Sequence, residues 1–138
     1  MTPRAYVAGP GPHDPFAVLA DATRTAGALG VVVCAWRPGE EPAPHSMPGT
    51  DQALVVLDGA CALTVDGEPL HATAGVLAFV PRGARLSVRV TGEPCRVLRI
   101  LAPAGAETYL ATAAAVPGLG AAALLPLAAD HGVVLHPE

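Results

Sequence analysis

The stretch APHSMPGTDQALVVLDG, residues 43–59, decides the fold that we expect for this chain. It places His45 in a short loop containing proline and glycine, and continues into an apolar run that ends at Asp58-Gly59. An apolar run bounded by turn residues is typical of a strand in an all-β core. A histidine before such a strand is also typical of a metal-binding barrel, but a metal site needs three or four ligands and this stretch offers one good one.

Similar apolar segments continue on both sides of this stretch and end at glycine, proline or Asp-Gly pairs, which interrupt strands. Their spacing predicts an all-β sandwich or barrel. Several segments are apolar on both faces, which predicts a second layer or a partner chain against the outer face. The predicted strands are residues 28–36, 52–57, 60–65, 75–80, 84–90 and 95–101.

The last part of the chain changes character. Residues 106–115 and 125–132 are predicted to form two short helices, with Gly132 as the stop of the second. The uncharged run of residues 108–129 is long enough to cross a bilayer. We predict no membrane span, because proline and glycine interrupt this run. The interrupting residues are Pro117, Gly118, Gly120 and Pro126.

Composition predicts one domain over residues 1–138, with a core barrel at about 25–105 and a helical tail at about 106–138. The chain is 51% hydrophobic and 14% charged, which excludes a disordered segment. Its net charge is −4, and its eight cationic residues are scattered arginines. We therefore predict no nucleic-acid partner.

Cys34, Cys61 and Cys95 are an odd number of cysteines without close spacing, so they indicate neither a disulfide framework nor a zinc cluster. We interpret them as buried thiols in a reducing compartment. The N-terminal residues lack the apolar core of a signal peptide, and the expected location is cytoplasmic.

The glycine and proline spacing around these strands resembles that of the cupin superfamily, in particular its small quercetin-dioxygenase-like members. Gly39, His45 and Gly59 stand at the spacing of the first cupin motif. Three residues stand at the spacing of the second motif, namely Gly75, Pro81 and Gly83. The resemblance implies a jelly-roll β-barrel with a short C-terminal helical tail, and a homodimer.

The family's four metal-ligand positions are changed at three places. His45 is retained, whereas Met47, Gln52 and Leu86 stand at the other three. A thioether, a neutral amide and an alkyl group are poor partners for a hard divalent ion. We therefore predict no metal ligand set and no cofactor.

The resemblance implies that these four positions face the barrel lumen. Strand alternation adds Leu54, Val56 and Val88, and Trp36 and Cys34 are placed on the same face of a neighbouring strand. This lining predicts an apolar cavity for an uncharged, hydrophobic small molecule. The alternative is a lumen packed solid as ordinary core.

The arginines and the tyrosine of the tail are predicted to have no catalytic role. Arg85 and Arg89 are expected to point outward. Arg96 and Arg99 have opposite parity on one strand, so one of them at most faces the lumen. Tyr109 either lies near the barrel mouth or packs the tail helix, and the sequence favours packing.

Three functions remain open from the sequence. The first is a metal-independent enzyme of bacterial specialised metabolism that cyclises or isomerises a molecule such as a polyketide, including pericyclic ring closure. In it His45 acts as the acid–base or hydrogen-bonding group, Gln52 donates to a carbonyl, and the other lumen residues bind substrate. The second is a non-catalytic binding protein. The third is a metal-dependent dioxygenase that uses His45, Asp51 and another histidine.

Overall fold

The computed structural model describes residues 2–11, 14–115 and 121–136. Within them eight strands and two helices form a β-barrel with a helical tail, which confirms the all-β prediction. The elements are β1 (Phe16–Ala20), β2 (Gly30–Trp36), β3 (His45–Ser46), β4 (Asp51–Val65), β5 (Glu68–Thr73), β6 (Leu77–Val80), β7 (Leu86–Ala102), α1 (Glu107–Ala115), α2 (Ala121–Asp130) and β8 (Val134–Leu135).

Two long strands, β4 and β7, form the centre of the sheet. They pair with each other antiparallel, and β4 also pairs with β5 and β6, whereas β7 also pairs with β2 and β3. Strand β1 extends the sheet from β2, and β8 extends it from β3. Along β4 the buried side chains Gln52, Leu54 and Val56 alternate with the half-buried Ala53 and Val55. This alternation gives the barrel an interior face and an outer face.

The predicted end of a strand at Asp58-Gly59 is wrong. Strand β4 continues through this pair, and its register against β7 shifts there. Gly59 has a φ of 77°, and a Cβ atom at this position would collide with the carbonyl oxygens of Gly92 and Pro94. The pair therefore forms a bulge that bends a continuous strand. The segments predicted as 84–90 and 95–101 are likewise one strand, β7.

The tail is attached to the barrel by Glu107, which lies at the start of α1 and is buried. One carboxylate oxygen accepts a hydrogen bond from the backbone N–H of Gly105 at 2.6 Å, and the other accepts from that of Ala22 at 3.1 Å. The first turn of α1 is therefore fixed against the loop that follows β1.

The second helix is longer than the sequence predicts, because it begins at Ala121 and encloses Pro126. Alanine and leucine are strong helix formers and extend it towards the N-terminus. The stop at Gly132 is confirmed: its φ is 73°, and the N–H of Val133 bonds to the carbonyl of Ala128. The predicted break at Pro117, Gly118 and Gly120 lies outside the described residues. Neither described helix has the length and apolar character needed to cross a membrane.

Candidate functional site

A buried arginine lies at the centre of the candidate site. Arg99 is carried by β7, opposite Val32 of β2 and Leu54 of β4, and its side chain is fully buried in the barrel. Its Nη2 donates one hydrogen bond to Nε2 of His45 at 3.0 Å and one to Oε1 of Gln52 at 2.8 Å. We call Arg99, His45 and Gln52 the arginine cluster. It joins two positions of the metal motif to a cation that the chain itself supplies.

The hydrogen bonds of His45 define its protonation. Its Nδ1 lies 2.9 Å from the carbonyl oxygen of Ala43 and donates to it. The lone pair of Nε2 is then the acceptor for Arg99. Burial, with the charge of Arg99 as the second cause, lowers the pKa of His45 to about 4. The imidazole is therefore neutral at pH 7, and it must leave the Arg99 hydrogen bond before Nε2 can take a proton.

The charge of Arg99 is not balanced by a carboxylate among the described residues. The ion pair that the structure shows, Arg82 with Asp51 at 2.9 Å, lies at the surface. The Nε of Arg99 is buried and has no hydrogen-bond acceptor in the described part of the chain. The ring of Trp36 lies 5.9 Å from the guanidinium carbon, which is a cation–π distance. Burial lowers the pKa of Arg99, but a guanidinium keeps its charge in proteins.

A cavity of about 740 Å³ opens beside the arginine cluster. Arg99 and His45 contribute polar groups to its lining. Its apolar wall comes from five elements of the fold, because β1, β2, α1, α2 and β8 all contribute. The main apolar lining residues are Phe16, Trp36, Tyr109 and Leu110. The cavity is large enough for a small organic ligand.

The structure brings only some of the predicted site residues to this cavity. Cys34, Trp36 and His45 line it. Gln52 is buried behind it and is connected to it through Arg99. The other predicted lumen residues are core residues that do not line the cavity, and their contact with a ligand stays a prediction. They are Met47, Leu54, Val56 and Leu86, which are fully buried, and Val88, which is half-buried.

The donor set does not fit a divalent metal ion. Both His45 Nε2 and Gln52 Oε1 accept from the Arg99 guanidinium, so a metal ion there would stand beside a fixed positive charge. Asp51 is turned to the surface, where Arg82 lowers the pKa of its carboxyl. Across the described ranges no three His, Cys, Asp or Glu side chains are grouped to hold a metal.

Sequence reasoning missed two residues of this site. Neither Arg99 nor Tyr109 was assigned to the site from the sequence, and the structure places both in the lining of the cavity. Strand alternation allowed either Arg96 or Arg99 to face the barrel interior. Which of the two does so depends on the pairing of Arg99 with Leu54. Tyr109 lines the cavity because Glu107 holds α1 against the barrel.

Comparisons with known proteins agree with this architecture. The family model of the cupin domain matches residues 32–101, which contain the arginine cluster. No curated protein sequence matches the chain significantly.

Solved structures with the same fold include KdgF from Halomonas sp., with a TM-score of 0.60 and 18% identity over 67% of this chain and 81% of that one. A cupin protein from Bacteroides fragilis gives a TM-score of 0.60 and 21% identity over 74% of this chain and 87% of that one. A protein with a double-stranded β-helix domain from Klebsiella pneumoniae gives a TM-score of 0.57 and 25% identity over 71% of this chain and 84% of that one.

Proposed function

This chain belongs to the cupin family, and we propose that it is a metal-independent member that binds a hydrophobic small molecule in its barrel and cyclises or isomerises it. The observation that carries the proposal is the position of the Arg99 guanidinium between His45 and Gln52. A fixed cation there supplies the electrostatic stabilisation that a metal ion supplies in a metal-dependent site. The quercetin-dioxygenase-like relation, the cytoplasmic location and a place in specialised metabolism stay predictions.

The cavity supports a reaction that depends on shape. Its wall of aromatic and aliphatic side chains, with Trp36 and Tyr109 buried, can hold a flexible chain such as a polyketide in one folded conformation. Orientation of reacting groups alone contributes several kcal/mol to a rate. A cyclisation, isomerisation or pericyclic ring closure needs mainly this orientation and one polarising group. In the proposed mechanism Arg99 polarises a substrate oxygen, and His45 and Gln52 hold the guanidinium in place.

A second function is favoured by the state of His45. Its pKa is about 4 and its Nε2 lone pair already accepts from Arg99. Proton transfer therefore requires the cluster to rearrange, whereas binding does not. A non-catalytic binding protein for the same class of molecule is the alternative.

The test uses protein treated with a chelator, incubated with flexible polyenes and polyketones and followed by mass spectrometry. Turnover by the chelated protein supports the enzyme, and thermal stabilisation without turnover supports the binding protein. His45→Ala and Gln52→Ala should abolish turnover while leaving the fold intact. Unchanged turnover in these variants would remove both residues from the mechanism.

We also propose that the chain forms a homodimer through the outer face of β4 and β6. Leu77 and Phe79 are each 56% exposed on β6, and they pair with Val55 and Ala53 of β4. These four positions form a continuous apolar surface, which isolated soluble chains rarely expose. A second copy of the same face would bury it.

A further inference from the structure

We propose that the ligand of this cavity is an apolar acid whose carboxylate pairs with Arg99. This inference rests on the proposed function, because it takes the cavity as the place where a hydrophobic molecule binds, and it names the class of that molecule. The sequence predicted an uncharged ligand, because the predicted lumen lining is apolar apart from a few polar groups. The buried cation in the lining changes that expectation.

The charge of Arg99 is not compensated by any ion pair that the structure shows. Arg99 is 1% exposed and makes no ion pair with any residue that the structure describes. Its protein acceptors, His45 and Gln52, are both neutral groups, and both bonds use the same nitrogen, Nη2. Removing a charge from water without a counter-ion is strongly unfavourable. An arginine buried in this state is expected to receive its counter-ion from a ligand.

The ionisable groups near Arg99 are not its counter-ions. Burial raises the pKa of the Cys34 thiol, although Arg99 acts in the opposite direction. Burial also raises the pKa of the Tyr109 phenol. Both groups therefore remain neutral at pH 7. Glu41 lines the cavity, but its carboxylate accepts from the backbone N–H groups of Gly39 and Val90 instead.

A ligand in the cavity can reach Arg99. Arg99 is itself a lining residue of the cavity, and its Nε lacks a hydrogen-bond acceptor. The lining also contains Glu40 and Glu41, and most of the remaining wall is apolar, with Phe16, Trp36 and Leu110. A molecule with one carboxylate and an aromatic or aliphatic body matches this arrangement of one cation and an apolar wall. The planar guanidinium is also the side chain best suited to a carboxylate.

The experiment compares acids with their primary amides. The probes are 3-phenylpropanoate and hexanoate, each against 3-phenylpropanamide or hexanamide at pH 7. Trp36 is the single tryptophan of the chain and lines the cavity, so its fluorescence reports binding directly. Thermal shift provides a second measurement. We expect each acid to bind about tenfold or more tightly than its amide, because a charge-assisted hydrogen bond replaces a neutral one.

The variants locate the effect at one residue. Arg99→Gln should remove the preference for the acid while binding of the amide persists. Arg96→Gln, on the same strand but with opposite parity, should preserve the preference. If Arg99→Gln fails to fold, the comparison of acid with amide on the natural chain still decides the question.

The outcomes separate this inference from the proposed function. Equal affinity for acid and amide, or a preference for the amide, overturns the anionic ligand and leaves the hydrophobic pocket standing. Absence of binding by all four probes at about 10 mM overturns both. An acid preference that survives in Arg99→Gln assigns the anion to another site and overturns the inference.

Discussion

His45 and Leu86 lie directly opposite each other across the β3–β7 pair. These are two positions at which the cupin motifs place metal-binding histidines, so the barrel keeps the placement of this pair although one of its two histidines is replaced. Leu86 is fully buried and supplies only packing. The imidazole that remains is held by Arg99.

Metal binding is the first property to measure. Elemental mass spectrometry of protein purified without a histidine tag should find iron, manganese, nickel and zinc far below one equivalent per chain. The physical reason is repulsion by Arg99, whose Nη2 occupies the acceptor atoms of His45 and Gln52. Leu86→His should gain no metal, because it leaves the guanidinium in place. One equivalent of any of these metals in the natural chain would contradict this account of the site.

Stability should depend on the protonation of His45. Its pKa falls from 6.5 to about 4 on folding, so the unfolded chain binds the proton more tightly. The stabilisation that neutral His45 contributes is fully present above pH 6.5 and is lost as the pH falls towards 4. The shift corresponds to about 3 kcal/mol of unfolding free energy.

Urea unfolding at several pH values measures this effect. The control is His45→Gln, which keeps a hydrogen-bond acceptor near Arg99 but cannot titrate. Its stability should fall less over the same pH range, since only carboxyl groups such as Asp51 and Glu41, whose pKa values are lowered in the fold, still contribute. Parallel pH profiles for both proteins would show that His45 is not the titrating group.

Gln52→Glu should place a counter-ion inside the protein. Oε1 of Gln52 accepts from Arg99 at 2.8 Å, so a carboxylate there would form a buried ion pair. The advantage of 3-phenylpropanoate over its amide should then disappear, while affinity for the amide changes little. Gln52→Leu removes the same hydrogen bond without adding charge, and it should retain the preference for the acid. Loss of the preference in both variants would indicate that the position of Arg99, rather than its charge, governs binding.

Gly59→Ala should destabilise the barrel more than Gly67→Ala. Both glycines have positive φ, which disfavours alanine by about 1 kcal/mol. A Cβ at Gly59 also meets two backbone carbonyl oxygens, whereas a Cβ at Gly67 meets no atom within 4 Å. Thermal and urea unfolding of the two variants measure the difference. Equal losses would mean that β4 and β7 separate at the bulge without strain.

The proposed dimer predicts a specific response to charge. Phe79→Asp should convert the protein to a monomer, because a buried carboxylate at the centre of an apolar interface has no partner. Light scattering after gel filtration measures the mass. Val7→Asp makes the same change at a residue that is 98% exposed and follows Tyr6, whose hydroxyl bonds to Leu19 of β1, and it should leave the mass unaltered. A natural chain that is monomeric at micromolar concentration would contradict the dimer.

The fold class was predictable from the sequence because strand alternation and turn residues are local features of the chain. Alternating apolar positions and turn residues identified four of the eight described strands, β2, β4, β6 and β7, and Gly132 marked the end of α2. Strand β5 was missed because its residues are mostly polar and exposed. The Asp58-Gly59 pair was read as a turn because the same residues serve turns and bulges, and only the approach of Gly92 and Pro94 distinguishes the two.

The site was less predictable because its decisive contacts join distant segments. His45 was identified from motif spacing, and Trp36 and Cys34 from strand alternation. Arg99 meets His45 across 54 positions of the chain and Gln52 across 47. Alternation limits which face a side chain takes, but it does not show which partners it finds there.

The bond between Glu107 and Ala22 joins residues 85 positions apart. Contacts of such long sequence separation form slowly, because the intervening chain must be ordered before they are made. On a ribosome, which releases the N-terminal part first, strands β1 to β7 are available for pairing before α1 and β8 exist. Since α1 supplies Tyr109 and Leu110 to the cavity wall, the binding site is completed after these seven strands. A chain that stops at Pro103 would keep every residue of the arginine cluster and present it in an open trough, exposed to water.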